Sequence, residues 1–343
     1  MKVFFLGNFW GSHHKERAGK RVELNHSFEW DGYTWLLPAA YVCSRGLVLD
    51  FCKQIPRQRI QSIMDRWGEK AKNNLFSPEE QELLEFDNPM SELLHCKAMI
   101  NGRHAEGSRK CAVCWNPLMN GLEQKGEDAG ELADEYHCDK EQGWQFIRVA
   151  IPWPYKRRPK RIRLTLSLEP YTMPYPCGQH FTFHMEDRGR QLQLCHPINK
   201  KECTLYVSGM QAGVVPGDAF HKLGAYEYPR HFAKLGYHYN REISQPEFVI
   251  HDCAKSDKPH PIPGHDSVAS IIGGAASVGI IGGSYGIIST TFIPDQAKEN
   301  QIIEQYAISS LHFEPVAEVE WRISALVKRG EVLTLELPII APY

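Results

Sequence analysis

Strict alternation of apolar and polar residues in the second half of the chain is the feature that most constrains its fold. In the segment RIRLTLSLE, apolar side chains recur at every second position from Ile162 to Leu168. In HFTFHM they recur from Phe181 to Met185, between histidine and threonine residues. Successive strand side chains point to opposite faces, whereas a helix repeats every 3.6 residues. The pattern therefore predicts a mainly β protein whose C-terminal part is an antiparallel, β-sandwich-like domain.

Two pairs of strand-like segments flank turn residues and predict hairpins. FEWDGYTW places Asp31-Gly32 between aromatic and β-branched residues, and this dipeptide is the strongest short-range hairpin signal. Near the C-terminus, EVEWRISALV and EVLTLEL flank Lys328-Arg329-Gly330. We expect these last two segments to pair with each other as a terminal hairpin.

The first half of the chain carries helical patterns beside its strand-like runs. In PRQRIQSIMDRWG the apolar residues recur at i, i+3, i+4 and i+7, which predicts a helix over 56–68. In SPEEQELLEF, Ser77 and Glu80 have the spacing of a capping box and predict a second helix over 78–86. The N-terminal part is therefore expected to be mixed, with sheet and two short helices.

A break in composition near residue 157 predicts a domain boundary. The segment WPYKRRPKRIR is rich in proline and basic residues, and the acidic segment Glu123–Glu141 before it is expected to be a solvated loop. We therefore predict a mixed domain over 1–156 and a β-sandwich-like domain over 157–343. The basic run itself is typical of a solvated linker, although it could contact phosphates.

Composition and charge narrow the classes of partner. The net charge of −2 predicts no general attraction to nucleic acid or to an anionic membrane. The apolar run at the N-terminus is too short for a secretory signal, so the ten cysteines are expected to be reduced thiols in the cytoplasm.

The segment Ser267–Pro294 has no charged residue and contains repeated glycines. Its length would allow a membrane span, but six glycines disfavour a helix. It lacks the lysine of a phosphate-binding loop. The β-branched runs between its Gly-Gly steps favour short buried strands instead, so no membrane association is predicted.

Cys111 and Cys114 form the sequence pattern that most resembles a metal site. Two thiolates at this spacing can chelate one zinc ion from a tight turn, and zinc would need two further ligands. Candidates for these are Cys96 or His95 upstream and Cys138 or His137 downstream. The alternative is that KCAVCW is a strand, with Cys111 and Cys114 facing opposite ways.

A histidine-rich region in the second half is the candidate ligand site. The loop HDCAKSDKPHPIPGHD is stiffened by prolines and carries several imidazoles and carboxylates, and the aromatic segment GYHYN precedes it. The six residues expected to line one concave site are Tyr237, His238, His251, His260, His265 and Asp266.

Two functions from different classes are compatible with this region. The first is a non-catalytic binding protein with a loop-built site for a small molecule or a carbohydrate in the C-terminal domain. The alternative is a metal-dependent enzyme that uses the His251–Asp266 loop, because a catalytic metal needs three protein ligands and one open position. The sequence contains no HExxH motif to favour a particular reaction.

Overall fold

The protein is mainly β, with antiparallel strands and three helices in the part of the chain that the structure describes. The structure is a computed structural model, and it describes residues 1–12, 14–73, 75–91, 94–119, 127–216, 226–240, 247–262 and 304–340. The glycine-rich segment Ser267–Pro294 lies outside these ranges. No helix within them is long and apolar enough to cross a membrane.

Three helices and eighteen strands make up the described chain. The helices are α1 (Arg57–Asn73), α2 (Pro78–Asp87) and α3 (Glu127–Glu135). The strands are β1 (Lys20–Trp30), β2 (Tyr33–Val42), β3 (Gly46–Ile55), β4 (Cys96–Ile100), β5 (Arg103–Ala105), β6 (Arg109–Trp115), β7 (Gly143–Pro152), β8 (Ile162–Leu168), β9 (Tyr171–His184), β10 (Arg190–Cys195), β11 (Glu202–Val214), β12 (Tyr226–Glu227), β13 (His231–Tyr239), β14 (Phe248–Asp252), β15 (His260–Pro261), β16 (Gln305–Ile308), β17 (Glu318–Arg329) and β18 (Leu333–Ile340).

Residue contacts divide the chain into two compact units. Unit 1 comprises 1–173 and 328–343, and unit 2 comprises 174–327. The break therefore falls after Met173 rather than near residue 157, and the C-terminal strand belongs to unit 1. Strand β8, just beyond the predicted boundary, pairs with β4 and β18 within unit 1. Whether the units fold independently stays a prediction.

Unit 1 contains two antiparallel sheets that share one core. One has the order β1-β2-β3-β7-β6 and the other β18-β8-β4-β5. Leu49 and Val149 of the first sheet and Leu164 and Leu335 of the second lie in the same buried cluster. The predicted β1–β2 hairpin is confirmed, because Asp31 and Gly32 both have positive φ, as a type I′ turn requires.

The two helices that the sequence predicts are present. The first is longer than expected because α1 continues through Gly68 to Asn73. The second has the predicted capping box, in which Ser77 accepts from the Glu80 amide and the Glu80 side chain accepts from the Ser77 amide.

The expectation of a loop within the acidic segment was wrong, because α3 lies there. Ala129, Leu132, Ala133 and Tyr136 fall at i, i+3, i+4 and i+7 and are buried. This face packs on Cys52 and neighbouring aromatic residues of the first sheet. The acidic residues that dominate the composition occupy positions between the apolar ones, so the charge obscured the helical period.

The central strands β3 and β7 are buried on both faces. On their outer face the register pairs Val48 with Ala150 in one apolar cluster, and Cys52 lies in a second apolar cluster further along the strand. Between these clusters Asp50 lies opposite Arg148. The guanidinium donates two hydrogen bonds of 2.8 and 2.7 Å to the carboxylate.

Further polar groups surround this buried ion pair. Tyr136 donates to Asp50 at 2.5 Å, and the Tyr41 and Tyr136 hydroxyls lie 2.9 Å apart. Arg148 also donates to the Asn8 carbonyl at 2.9 Å. Burial, followed by the charge of Asp50, raises the pKa of Tyr136, so this phenol remains a donor to the carboxylate.

Unit 2 is built from two larger sheets and a two-stranded ribbon. The sheets have the orders β10-β11-β13-β16 and β14-β17-β9, and β12 pairs with β15. Leu205 and Leu235 from the first sheet pack in one core with Phe183, Trp321 and Ile323 from the second. Two sheets that share a core match the predicted sandwich-like arrangement.

The terminal hairpin expected from the sequence is absent from the described strands. Strand β17 pairs with β14, whereas β18 pairs with β8. Gly330 does form a turn with positive φ, and its amide donates to Asp31 at 2.9 Å. The short connection Gly330-Glu331-Val332 therefore leads the chain from one sheet to another instead of back along the same sheet.

The contact-based division predicts which fragments fold. A fragment of residues 174–327 is expected to give a dispersed amide NMR spectrum and a cooperative thermal transition. A fragment of residues 1–156 is expected to give neither, because it lacks β8 and β18, whose leucines fill the unit 1 core. Residues 1–173 joined by a Gly/Ser linker to 328–343 should restore folding. A well-folded 1–156 fragment would support the sequence-predicted boundary instead.

The buried Asp50–Arg148 pair predicts that removing one of the two charges lowers the free energy of unfolding much more than removing both. Arg148→Met should lower the free energy of unfolding by about 3–5 kcal/mol, because it leaves the Asp50 carboxylate buried without its cation. Asp50→Leu combined with Arg148→Met should recover much of that loss. Chemical denaturation measures both.

The matched control is the exposed Arg57–Glu141 pair, with an N–O distance of 2.7 Å. Arg57→Ala is expected to change the free energy of unfolding by less than about 1 kcal/mol. A similar small effect for Arg148→Met would contradict the importance of the buried pair.

Candidate functional site

Three potential metal ligands of different chemistry meet on one sheet of unit 2. They are an imidazole nitrogen of His180, the thiol of Cys253 and a carboxylate oxygen of Glu320, and the three atoms lie within 4.8 Å of one another. This is the one such group of three or more residues among the described parts of the chain. His180 and Glu320 are exposed, and Cys253 is half-buried.

Strand pairing brings these residues together from three separate segments. His180 lies on β9, Glu320 lies on β17, and Cys253 directly follows β14, in a sheet where β17 is the middle strand. The Cys253 amide donates to the Glu320 carbonyl at 2.9 Å, which fixes the end of β14 beside β17. The site is therefore held mainly by sheet hydrogen bonds rather than by a long loop.

The spacing of the donor atoms suits a small tetrahedral ion. The Nδ1 atom of His180 lies 3.1 Å from Oε1 of Glu320 and 3.5 Å from Sγ of Cys253. Zinc bonds of about 2.0–2.3 Å in a tetrahedral arrangement separate neighbouring ligand atoms by roughly 3.3–3.7 Å. An ion could therefore replace the direct contacts among these groups with small side-chain movements.

A second histidine–glutamate pair lies on the same two strands. Nδ1 of His184 is 3.2 Å from a carboxylate oxygen of Glu318. No thiol joins this pair in the set of close ligands. It therefore provides a local comparison for the role of the cysteine.

A groove of about 520 Å³ borders the cluster. Cys253 and Glu320 contribute to its wall, with further carboxylates and one imidazole. Asp252 accepts from the Ser310 amide at 2.8 Å, and Asp257 accepts from the Phe313 amide at 2.9 Å, so both hold the neighbouring segment in place. The groove therefore provides space in which a further ligand of the metal ion could bind.

His251 is the sequence-predicted residue nearest to the cluster along the chain. It lies two positions before Cys253, on the same face of the same sheet. Its pKa is lowered to about 4, first because burial disfavours the charged imidazolium and then because of the positive charge of Arg322. The ring is therefore neutral at neutral pH.

Among the described residues, the other members of the predicted ligand set are not gathered on one surface. Tyr237 is buried in the unit 2 core. His238 lies on the opposite face of β13, where its ring stacks on Tyr206 with 5.1 Å between the ring centroids. His260 is exposed and stacks on Phe313 at 4.5 Å. These aromatic rings thus take part in separate packing contacts. His265 and Asp266 lie outside the described residues.

Cys111 and Cys114 lie on β6, as the strand alternative proposed. They pair with Arg148 and Gln145 of β7, three positions apart, and a strand directs side chains at this spacing to opposite faces. Their thiols therefore do not converge on one zinc ion, as two cysteines on a tight turn would. Burial raises the pKa of both, and that of Cys114 to about 11, so the thiol forms dominate at neutral pH.

Sequence reasoning identified the loop that carries Cys253 but missed His180 and Glu320. A usable signal was present in the alternation, because HFTFHM places His180 and His184 on the polar face of one strand. EVEW likewise places Glu318 and Glu320 on one face. What the pattern did not contain was the pairing of these strands.

The chain was compared with protein-family models, with curated proteins and with solved structures, and none of the three comparisons gives a match. The functional inference therefore rests on the geometry of the site.

The low pKa of His251 predicts a loss of unit 2 stability in acid. The unfolded chain binds a proton near pH 6.5 and the folded chain near pH 4, so stability falls as the pH is lowered between these values. The full loss is up to roughly 3 kcal/mol. Hydrogen exchange of β14 peptides, measured by mass spectrometry from pH 7 to 4, should report it.

His251→Gln cannot take up the proton and should show a weaker pH dependence of β14 protection, whatever its protection at pH 7. His260→Gln is the control, because that ring is exposed. An unchanged pH dependence in His251→Gln would contradict the assignment.

Proposed function

We propose that the protein binds a transition-metal ion of the zinc class at His180, Cys253 and Glu320, and that unit 2 is the binding module of the chain. The observation that carries the proposal is the convergence of the three donor atoms within 4.8 Å. This proposal names the ligand that the binding-protein hypothesis left open. Of the three ligand residues, Cys253 lies in the loop that the sequence predicts to form the site.

The chemistry of the donors supports this class of ion. A thiolate and an imidazole are ligands of zinc and of softer ions, whereas calcium and magnesium prefer sites made of oxygen alone. An ion held by these three residues would keep a fourth position open to water or to a group bound in the groove. The ten cysteines are thiols rather than disulfides, which supports a cytoplasmic location, where thiols are kept reduced and able to bind a metal ion.

The groove favours a metal ion over a carbohydrate as the primary ligand. Its described lining consists of carboxylates, one imidazole, the thiol of Cys253 and small apolar residues, and it includes no phenylalanine, tyrosine or tryptophan on which a sugar ring could stack. A small molecule would therefore bind there through the metal and the polar groups.

A metal-dependent enzyme is the second candidate function. The observation that favours it is that two of the three ligands, Cys253 and Glu320, line the groove, so a substrate bound there would lie close to the metal ion. Three protein ligands with one open position is the usual composition of a catalytic zinc site, where the metal lowers the pKa of its bound water.

The proposal predicts one zinc ion per chain. Untagged protein in a reducing buffer should bind Zn²⁺ in competition with a chromogenic chelator. Substituting Co²⁺ should give the thiolate-to-cobalt charge-transfer absorption of a sulfur ligand. Cys253→Ser should abolish that absorption, and Cys253→Ser and His180→Ala should each weaken zinc binding by more than about tenfold, because even outer-shell changes weaken metal sites to that extent.

Matched controls exist on the same strands. His184→Ala and Glu318→Gln alter the neighbouring pair that lacks a thiol. Cys195→Ser removes an exposed thiol elsewhere in unit 2. Zinc binding that survives Cys253→Ser, or that is lost equally in these controls, would overturn the proposal.

A further inference from the structure

A second recess, of about 470 Å³, lies in unit 1 and has a different character. Its walls come from the segment before β1 and from the turn between β2 and β3. They carry Lys15, Arg17 and Arg45, together with the Ser44 side chain. The recess therefore combines three permanent cations with a hydroxyl donor, in a chain whose net charge is −2.

The three cations have no carboxylate partner in the part of the chain that the structure describes. Lys15, Arg17 and Arg45 are exposed, and no ion pair joins them to a carboxylate of the described residues. Glu16 also borders the recess, but its Oε1 atom accepts from the Leu6 amide at 2.9 Å. That carboxylate keeps its charge, but it is one anion against three cations, so the recess carries a net positive charge.

Tight packing holds both walls in place. Gly19, just after Arg17, lies so close to β2 that a β-carbon there would be 2.7 Å from Sγ of Cys43. On the other wall, the Trp153 indole donates to the Cys43 and Ser44 carbonyls at 3.3 and 3.1 Å. The backbone beneath Arg17 and Ser44 is therefore fixed before any ligand binds, which lowers the entropic cost of binding.

We propose that this recess binds the linked phosphate groups of a small oligophosphate ligand. Arginine matches phosphate oxygens with two parallel hydrogen bonds, and lysine and serine add further donors. Three cations around a recess suit more than one phosphate. The volume lies within the range of small-molecule pockets, and a concave site favours a small ligand over an extended polyanion.

The exposed basic loop near this recess offers a contrast. Lys156, Arg157 and Arg158 follow Trp153, whose amide donates to the Arg45 carbonyl at 3.1 Å. These residues are not part of the recess lining. A nucleic acid or an anionic membrane would depend on this loop as much as on the recess, because extended polyanions gain from each phosphate contact.

Inorganic triphosphate is the probe, titrated into the full chain by isothermal calorimetry. Triphosphate also chelates metals, so the titration uses the Cys253→Ser chain with a chelator present, which keeps its outcome independent of the zinc proposal. We expect saturable binding that weakens with salt and is tighter for triphosphate than for monophosphate. Arg17→Ala and Arg45→Ala should each reduce the affinity by about tenfold.

The controls are Lys156→Ala/Arg157→Ala in the basic loop and Arg188→Ala in unit 2, and both should leave triphosphate binding within about twofold of the starting chain. Unchanged thermal transitions establish that the variants are folded. Absence of triphosphate binding, an equal loss in Lys156→Ala/Arg157→Ala, or tighter binding of a short single-stranded oligonucleotide or of phosphatidylserine vesicles would overturn the proposal.

Discussion

The buried ion pair between Asp50 and Arg148 is the interaction on which the architecture of unit 1 most depends. It lies at the centre of two neighbouring strands, between two apolar clusters, and both side chains are buried. The same guanidinium holds the N-terminal segment through the Asn8 carbonyl, and the same carboxylate holds Tyr136 after α3. A pair of charges this deep is tolerated because every strong donor and acceptor around it is matched.

The candidate metal site in unit 2 follows a different principle, because its residues are polar groups on the outer face of a sheet. The pleat directs His180 and Glu320 to one side of the sheet, and the hydrogen-bonded end of β14 adds Cys253. The core residues on the opposite face of the sheet hold the strands in position. Apolar packing therefore determines where the three candidate ligand residues lie. Such a site can change its chemistry through single outward-facing residues without disturbing the core.

Charge in this protein is distributed locally rather than globally. A chain with a net charge of −2 presents a recess bordered by three cations in one unit and a groove rich in carboxylates in the other. Net charge therefore says little about the ligands, because each site acts through fields that solvent ions screen within about 10 Å. The two proposed ligands, a cation and a small polyanion, are accordingly independent of each other.

The sequence alone determined the features whose causes are local. The positive φ of Asp31-Gly32, the capping box at Ser77 and the alternation over 162–168 are each set by residues within a few positions, so the hairpin, the helix and the strand were predictable. Only the tertiary structure decided which strands pair. In the folded chain β17 and β18 belong to different sheets, and His180 lies beside Cys253. Partner choice depends on the packing of whole faces between segments far apart in the chain, and alternation specifies a face without specifying its partner.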